Sequence, residues 1–417
     1  MDFTPLHRAL GRQPSDLTNE LLDEAVTQGV AETDDLDWKK AFPTTKLAHS
    51  DVPKDIAAMA NRGGGMIIYG VDEDQRKATE RVTVTDFGEN EERTYRSVAV
   101  TAITPPVFGL DIRRLGEDPA AVAVIVPASV DGPHLIYKND YFGAPIRNDA
   151  DTVWMKERQI EAMYKARFDE RRRSDEAMEA LYTETVAGRD TDKRAWLIAV
   201  ARPRIPGVLK RMSVEDALEV RERAGRLALT YSEREGAHPL EHLTHSSPRT
   251  GLRRWVLPNT AGGSSSWREA WAEMHFDGSV ALAAALGGHR SGVRGETLKG
   301  NEVESRGIEC AVVDFLSLVR AVGEKRGHGE YEVRVGIEIT ADTHLKVYPY
   351  DPFYQGVLDS PSAQMASYTP VLSSVNAAAS DEDFHRQLFQ VAEDCVNQGG
   401  VSHLVVIHPA PESDDEQ

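Results

Sequence analysis

The sequence is poor in cysteine and lacks long apolar runs. Its 417 residues include two cysteines, Cys310 and Cys395, too few for a disulfide framework or a four-cysteine zinc site. This scarcity favours a reducing compartment, so we expect a cytoplasmic protein. No stretch approaches the roughly eighteen apolar residues that a transmembrane helix needs, and no secretion signal opens the chain. The sequence therefore predicts neither secretion nor a membrane partner.

Motifs for nucleotide binding and nucleophilic hydrolysis are also lacking. The chain contains no G-x-x-x-x-G-K-[ST] loop, no G-x-G-x-x-G after a strand and no G-x-S-x-G elbow. The glycine run at residues 63–65 instead predicts a tight turn from a helix into a strand, because glycine adopts the left-handed conformation found at helix ends. Exposed amides in such a turn would also suit a phosphate.

Positive charge is scarce. The chain has 67 acidic and 48 basic residues, a net charge of -19, which disfavours a protein that coats DNA through a generally basic surface. Residues 1–180 sum to -10 and residues 181–417 to -9, so both halves share the excess. Any nucleic acid must therefore bind on a local basic surface. The candidates for it are Arg147, Lys156, Arg158, Lys165 and Arg167.

What is present fits a globular α+β protein. Hydrophobic residues make up 41% and charged residues 28% of the chain, and its length predicts two domains. Residues 1–182 are expected to form an α/β domain ending in a long helix, and residues 190–411 an α+β domain with a mainly antiparallel sheet. Residues 412–417 form an acidic tail. The expected strands include residues 66–71, 97–103, 120–128 and 402–408, and Asp277-Gly278 predicts a hairpin turn.

Two groups of carboxylates stand close to these expected elements. Glu32, Asp34, Asp35 and Asp37 come just before Trp38 and Lys39, and residues 72–74 (D-E-D) follow the strand at 66–71. Carboxylates brought together from distant positions are the ligands that Mg²⁺ or Mn²⁺ prefers. The alternative is a solvated acidic loop, which is common in a chain of this charge.

A histidine cluster offers a weaker metal site. His238, His242 and His245 lie near Glu241, and histidines four residues apart on a helix suit zinc. Pro239 and the nearby glycine and serine residues predict a loop instead, which disfavours that site.

Several motifs occur in order within residues 20–170. They are E-x-x-x-x-D-W-K at 32–39, K-D-I-A-A-M-A-N-R-G-G-G at 54–65, M-I-I-Y-G-V-D at 66–72 and Y-F-G-A-P-I-R at 141–147. In this order and spacing they resemble the Schlafen-type AlbA_2 family. That family combines an acidic residue, four positions and acid–aromatic–lysine with A-x-A-N-x-x-G-G and G-V-D-D. The stretch 133–159 is also similar to actinobacterial members.

The resemblance implies an AlbA_2-like domain that acts on nucleic acid. Vertebrate Schlafens of this class are endoribonucleases acting on tRNA and rRNA through three carboxylates and a divalent metal. Carried over by motif, Glu32, Asp37 and either Asp72 or Glu73 would bind Mg²⁺ or Mn²⁺, and Lys39 would contact the phosphate. Asp37 replaces the usual Glu and Glu73 the second Asp, which changes their reach by about an ångström.

We therefore expect a metal-dependent endoribonuclease acting on structured RNA such as tRNA, with RNA favoured over DNA as partner. Glu32 and Asp37 are expected to flank an exposed segment, so that either can be replaced without unfolding. Two alternatives remain: a non-catalytic regulator that binds DNA or RNA, and an ATP-binding assembly module, in line with the family's older description as divergent ATPases. Self-association into a homo-oligomer is left open.

Overall fold

The computed structural model describes residues 3–43, 46–85, 87–138, 141–205, 211–233, 238–259, 269–291, 296–340, 343–353 and 355–409. The chain divides into two compact units, Met1–Arg172 and Arg173–Gln417. The bounds 1–182 and 190–411 remain a prediction, and the acidic tail at 412–417 lies outside the described residues. Over the described ranges, no helix is long and apolar enough to cross a membrane.

The first unit contains short strands, four short helices and the beginning of a 30-residue helix, within which the division between the units falls. The helices are α1 (Pro5–Ala9), α2 (Asn19–Thr27), α3 (Val52–Arg62), α4 (Glu89–Thr101) and α5 (Glu157–Val186). The strands are β1 (Leu36–Lys39), β2 (Gly65–Tyr69), β3 (Val71–Asp74), β4 (Lys77–Arg81), β5 (Ile103–Thr104), β6 (Asp111–Leu115), β7 (Ala121–Val126), β8 (Leu135–Lys138), β9 (Tyr141–Gly143), β10 (Pro145–Asn148) and β11 (Asp151–Trp154).

A four-stranded sheet in the order β1-β2-β7-β6 is the centre of this unit. β1 runs parallel to β2, whereas β7 is antiparallel to both β2 and β6. Side chains alternate across a strand. Met66 and Ile68 of β2 therefore enter one apolar cluster, and Ile67 and Tyr69 enter the cluster on the other face. Since both faces are covered, β2 is a continuous apolar run, as its sequence indicates.

The glycine run makes the predicted turn from α3 into β2. Gly63 has φ +103° and Gly64 has φ +93°, and the Gly64 amide donates to the Met59 carbonyl at 2.9 Å. A Cβ atom on Gly64 would lie 2.8 Å from the Ala128 nitrogen and the Val126 oxygen. Only glycine fits this close approach of two backbones. The turn therefore accounts for the glycine run at residues 63–65, and no phosphate ligand is needed to explain it.

Asn61, at the end of α3, connects the helix to two later segments. Its side-chain amide donates to the His134 carbonyl at 2.9 Å and the Pro145 carbonyl at 2.8 Å, and its oxygen accepts from the His134 amide at 2.7 Å. The residue is buried. The asparagine of the A-x-A-N motif thus satisfies three backbone groups that no secondary structure pairs.

The second unit is built on a seven-stranded sheet, in the order β13-β14-β15-β16-β12-β20-β25, in which every pairing is antiparallel. Its helices are α6 (Val214–Tyr231), α7 (Ser305–Arg326) and α8 (Asp381–Asn397). Its strands are β12 (Trp196–Pro203), β13 (Arg249–Gly251), β14 (Arg254–Leu257), β15 (Ala270–His275), β16 (Val280–Ala285), β17 (Arg290–Ser291), β18 (Glu296–Thr297), β19 (Glu302–Glu304), β20 (Glu330–Glu338), β21 (Leu345–Tyr348), β22 (Tyr350–Asp351), β23 (Gly356–Val357), β24 (Ala363–Met365) and β25 (Val371–Asn376). This architecture confirms the α+β class, and Gly278, at φ +92°, makes the predicted turn between β15 and β16.

Two strand predictions were wrong. Residues 97–101 belong to α4, because Tyr95, Val98 and Ala99 follow the helical spacing and bury one face of the helix. Residues 402–408 are an irregular segment with a single bridge, Ser232 to Ile407. Amides of that segment donate to the buried Glu309 carboxylate rather than to a neighbouring strand.

We expect Asn61→Ala to lower the free energy of unfolding of the first unit by about 2–4 kcal/mol, because three buried backbone groups lose their partner. Urea unfolding of the full chain, followed by a probe in the first unit, measures the change. Asn90→Ala, at an exposed position in α4, is the matched control and should change stability by less than about 0.5 kcal/mol. Equal effects of the two substitutions would contradict the assigned role.

Candidate functional site around Lys39

The E-x-x-x-x-D-W-K motif ends in β1, at the edge of the central sheet. Trp38 enters the core on one face, and its indole nitrogen donates to the Val30 carbonyl at 3.0 Å. Because side chains alternate along a strand, Asp37 and Lys39 both lie on the opposite face. Lys39 is opposite Tyr69 in the β1–β2 register. Because Trp38 is buried on one face of β1, its two neighbours in the chain, Asp37 and Lys39, lie together on the other face.

Asp37 is a buried member of an ion pair. It is 2% exposed; one carboxylate oxygen accepts from the Arg147 guanidinium at 3.0 Å, and the other lies 2.5 Å from the Lys39 ammonium. Arg147 also donates to the Thr33 carbonyl at 3.2 Å. The expectation that Asp37 flanks an exposed segment was therefore wrong, since this side chain is enclosed by two cations.

Arg147 was expected on a nucleic-acid surface, and this prediction needs correction. It is 4% exposed, and its guanidinium is directed at Asp37. A basic residue at this depth does not reach a phosphate on a bound nucleic acid. Its sequence context, in β10, gave no sign of a buried partner 110 positions earlier.

Glu32 is half-buried beside this pair. Its carboxylate accepts from the Trp38 amide at 3.0 Å. Burial raises the pKa of Glu32, and repulsion from Asp37 and Glu73 adds to the rise, whereas the Trp38 hydrogen bond and the Lys39 charge oppose it. Burial alone would lower the pKa of Lys39, but the carboxylates of Asp37, Asp55 and Glu32 raise it overall. The side chain of Lys39 is 37% exposed. Lys39 therefore extends from the acidic group to the protein surface.

Asp55 is a member of this group that the sequence analysis missed. It lies in the first turn of α3 and is buried. Burial raises its pKa to about 6; Lys39 opposes the rise, and Asp37 adds to it. A signal was available, since Asp55 lies four residues before the buried Met59 and so shares the core-facing side of an amphipathic helix.

Asp72 and Glu73 lie on the β3–β4 hairpin, where the register shifts between them. The Asp72 carboxylate lies 2.5 Å from the Lys40 ammonium, and this hydrogen bond lowers the pKa of Asp72. The Glu73 carboxylate accepts from the Arg76 amide at 2.6 Å. Lys39, the last residue of β1, pairs with Asp37, whereas Lys40, the next residue, pairs with Asp72. Asp37 and Asp72 therefore have different lysine partners.

As arranged, these carboxylates do not fit a divalent cation. Both Asp37 oxygens face cationic side chains, and Asp72 is paired with Lys40. Glu32 and Glu73 each accept a hydrogen bond from a backbone amide. Across the described ranges, no three or more His, Cys, Asp or Glu side chains are grouped so that they could hold a metal ion. A Mg²⁺ or Mn²⁺ site needs several free oxygens directed at one point.

The other basic candidates belong to the start of α5 or immediately precede it. Lys156, Arg158 and Lys165 are exposed, whereas Arg167 is partly buried.

In the second unit, the histidine cluster has a structural role, since the buried His238 lies 2.7 Å from the Asp314 carboxylate. Burial alone would lower the pKa of His238, but Asp314 raises it to about 9. His245 contacts Arg221 rather than a second histidine ligand.

The raised pKa of Asp55 predicts a pH dependence of stability. Its folded pKa of about 6 exceeds the ordinary value of 3.8. The bound proton therefore stabilises the fold fully below the lower value, and this contribution is lost as the pH rises through the higher one. Asp55→Asn removes the titration. We expect it to reduce the loss of stability between about pH 4 and 7 by on the order of 2–3 kcal/mol.

Urea unfolding of the full chain at the two pH values measures this difference. Asp51→Asn, at an exposed position in the same segment, is the control and should keep the pH dependence of the wild type. If Asp55→Asn also keeps that dependence, Asp55 is not the protonated group.

Comparison with known proteins adds a family. Residues 32–156 match the family model described as Schlafen, AlbA_2. No curated protein matches the chain at a significant level. Similar solved structures include the N-terminal domain of a RecG-related protein from Nitrosomonas europaea, with 18% identity and a TM-score of 0.25, over 32% of this chain and 89% of that one.

They also include the DIP2311 protein from Corynebacterium diphtheriae, with 12% identity and a TM-score of 0.25, over 49% of this chain and 37% of that one. This chain thus covers little more than a third of that protein. The family match includes the whole acidic group around Lys39, the glycine turn and the segment that ends at Lys156, and it suggests a function related to nucleic acids. Residues 32–156 of this chain form a domain of the Schlafen AlbA_2 family.

Proposed function

We propose that the first unit binds nucleic acid, with RNA rather than DNA as the expected partner, and that the cations at the start of α5 contact its phosphates. The observation that carries this proposal is the AlbA_2 match at residues 32–156. The match ends where a series of basic residues begins. Binding of a phosphate backbone requires such a series, because most of the affinity for nucleic acid comes from the neutralisation of phosphates by basic side chains.

The local charge supports this location. Residues 156–173 contain seven basic and four acidic residues, in a chain whose net charge is -19. Lys156, Arg158 and Lys165 are exposed. A polyanion is repelled by the protein as a whole, so it must approach over a surface where positive charge prevails.

Reversing these charges tests the proposal. The triple variant Lys156→Glu, Arg158→Glu and Lys165→Glu should weaken binding of single-stranded RNA by more than about 10-fold at physiological salt, because phosphate contacts become repulsions. Fluorescence anisotropy with labelled RNA, repeated over a salt series, measures both the affinity and its salt dependence. The slope of the logarithm of affinity against that of salt concentration should be smaller in the variant.

A matched variant controls for net charge. Lys193→Glu, Arg249→Glu and Lys299→Glu change the charge of the chain equally, at exposed positions of the second unit, and should bind RNA nearly as the wild type does. Equal weakening by the two triple variants, or wild-type binding that is indifferent to salt, would contradict the proposed surface.

A metal-dependent endoribonuclease acting on structured RNA is the second candidate. The observation in its favour is that the carboxyl groups of Glu32, Asp37 and Asp55 lie around one partly exposed lysine, Lys39. A cation could be accommodated only if Lys39 left Asp37. In the arrangement observed, Lys39 is the charged group through which this site would contact a phosphate.

Cleavage should depend on Lys39 and Glu32, the two members of the group that are not fully buried. If the chain cleaves RNA, Lys39→Met and Glu32→Gln should each abolish cleavage while leaving RNA affinity within a few-fold, because phosphate contacts elsewhere supply the affinity. Incubation of tRNA and single-stranded RNA with Mg²⁺, Mn²⁺ or Co²⁺ measures this. Asp37 is unsuitable for the test, since its loss leaves the buried Arg147 without a carboxylate to balance its charge.

Lys40→Met and Glu20→Gln are the controls, since they make the same chemical changes outside the group. Should the wild type cleave neither RNA with any of the three metals, the endoribonuclease candidate is wrong and binding alone remains. Cleavage that survives both Lys39→Met and Glu32→Gln would place a nuclease site elsewhere.

A further inference from the structure

Two aromatic rings extend from the β8–β9 hairpin into solvent. Tyr137 is 67% and Phe142 is 66% exposed. The two residues are directly opposite each other in the strand register, and their ring centroids are 6.1 Å apart. Large apolar side chains with this exposure are normally scattered singly. A cross-strand pair on one face of a hairpin is therefore unusual.

The hairpin is supported from its other face. A Cβ atom on Gly143 would lie 2.7 Å from the ring of Trp154, so this ring covers the backbone on the side away from Phe142. Ile136, between Leu135 and Tyr137, is buried in the core of the first unit. Tyr137 and Phe142 are thus held in place by their neighbours but have one side open to solvent.

Positively charged residues follow Trp154 along the chain. Trp154 is followed by the exposed Lys156 and Arg158, with the exposed Glu157 between them, at the beginning of segment 156–173, in which basic residues outnumber acidic ones. The nearest acidic residue on β11, Asp151, lies 2.8 Å from the Arg76 guanidinium, which offsets its charge. Exposed rings on the hairpin, and exposed cations that follow its supporting tryptophan along the chain, are the two kinds of group that contact the bases and phosphates of a nucleic-acid strand.

We propose that Tyr137 and Phe142 form a stacking platform for unpaired bases of single-stranded RNA. The inference rests on the proposed nucleic-acid binding and adds the part of the ligand that is recognised. Aromatic side chains stack on the face of any base, and that face is accessible only where the strand is unpaired. A surface built for apolar packing alone would serve equally well with aliphatic side chains, whereas stacking requires rings.

Replacing the rings without loss of apolar bulk tests this proposal. Tyr137→Leu and Phe142→Leu should each weaken binding of a roughly 12-nucleotide single-stranded RNA by about 10-fold, which is within the range for one stacked base. Neither variant should alter binding of an abasic RNA with the same number of phosphates. Phe353→Leu, at an 88% exposed aromatic position of the second unit, is the control and should bind both RNAs as the wild type does.

A 2-aminopurine in the RNA gives a second readout. Its fluorescence should be quenched on binding to the wild type and should recover in Phe142→Leu, because quenching requires stacking. Equal affinity of the wild type for normal and abasic RNA, with a steep salt dependence, would overturn the platform and leave the proposed binding intact. Failure to bind either RNA would overturn both. Sedimentation velocity that shows a smaller oligomer for Phe142→Leu than for the wild type would make the rings a contact between copies instead and overturn the platform.

Discussion

The ion pair between Asp37 and Arg147 is the interaction on which the first unit depends. It joins the edge strand β1 to β10, two segments 110 residues apart in the chain. Both side chains are almost completely buried, so removal of either leaves a charge in the interior, which typically costs about 3–5 kcal/mol. Lys39 adds a second cation on the same carboxylate. The acid of the E-x-x-x-x-D-W-K motif thus holds the fold together and also positions the lysine that reaches the surface.

Much of the fold of both units could be predicted from the sequence because its signals are local. The apolar run of β2, the glycine turn and the Asp277-Gly278 hairpin each depend on a few consecutive residues. The errors concern interactions between distant residues. Arg147 has the sequence context of a surface cation, because its buried partner is distant in the chain. Asp55 lies in a largely apolar helix, where the sequence analysis missed it. Residues 97–101 have strand-like composition, but tertiary packing of Tyr95, Val98 and Ala99 favours the helix.

The acidic groups illustrate the same limit. The sequence places Asp72 directly after an apolar strand and Asp37 in a second acidic group, and two such groups brought together would form a shared cation site. The structure gives each of them its own lysine, since Lys39 pairs with Asp37 and Lys40 pairs with Asp72. A metal ligand set requires the orientation of each carboxylate, and spacing along the chain does not determine that orientation. The group that does form, Glu32, Asp37 and Asp55 around Lys39, comes from β1, the loop before it and the first turn of α3.

Helix α3 relates this acidic group to the aromatic hairpin. Asp55 lies near its beginning, and Asn61, near its end, bonds the backbone at His134 and Pro145, the two residues that bracket β8 and β9. Six residues of an α-helix span about 9 Å along its axis. The helix therefore fixes the separation between the point where the acidic group is held and the point where the hairpin is anchored. A displacement of α3 would move both together, so Asn61 contributes to the position of the aromatic hairpin relative to the acidic group.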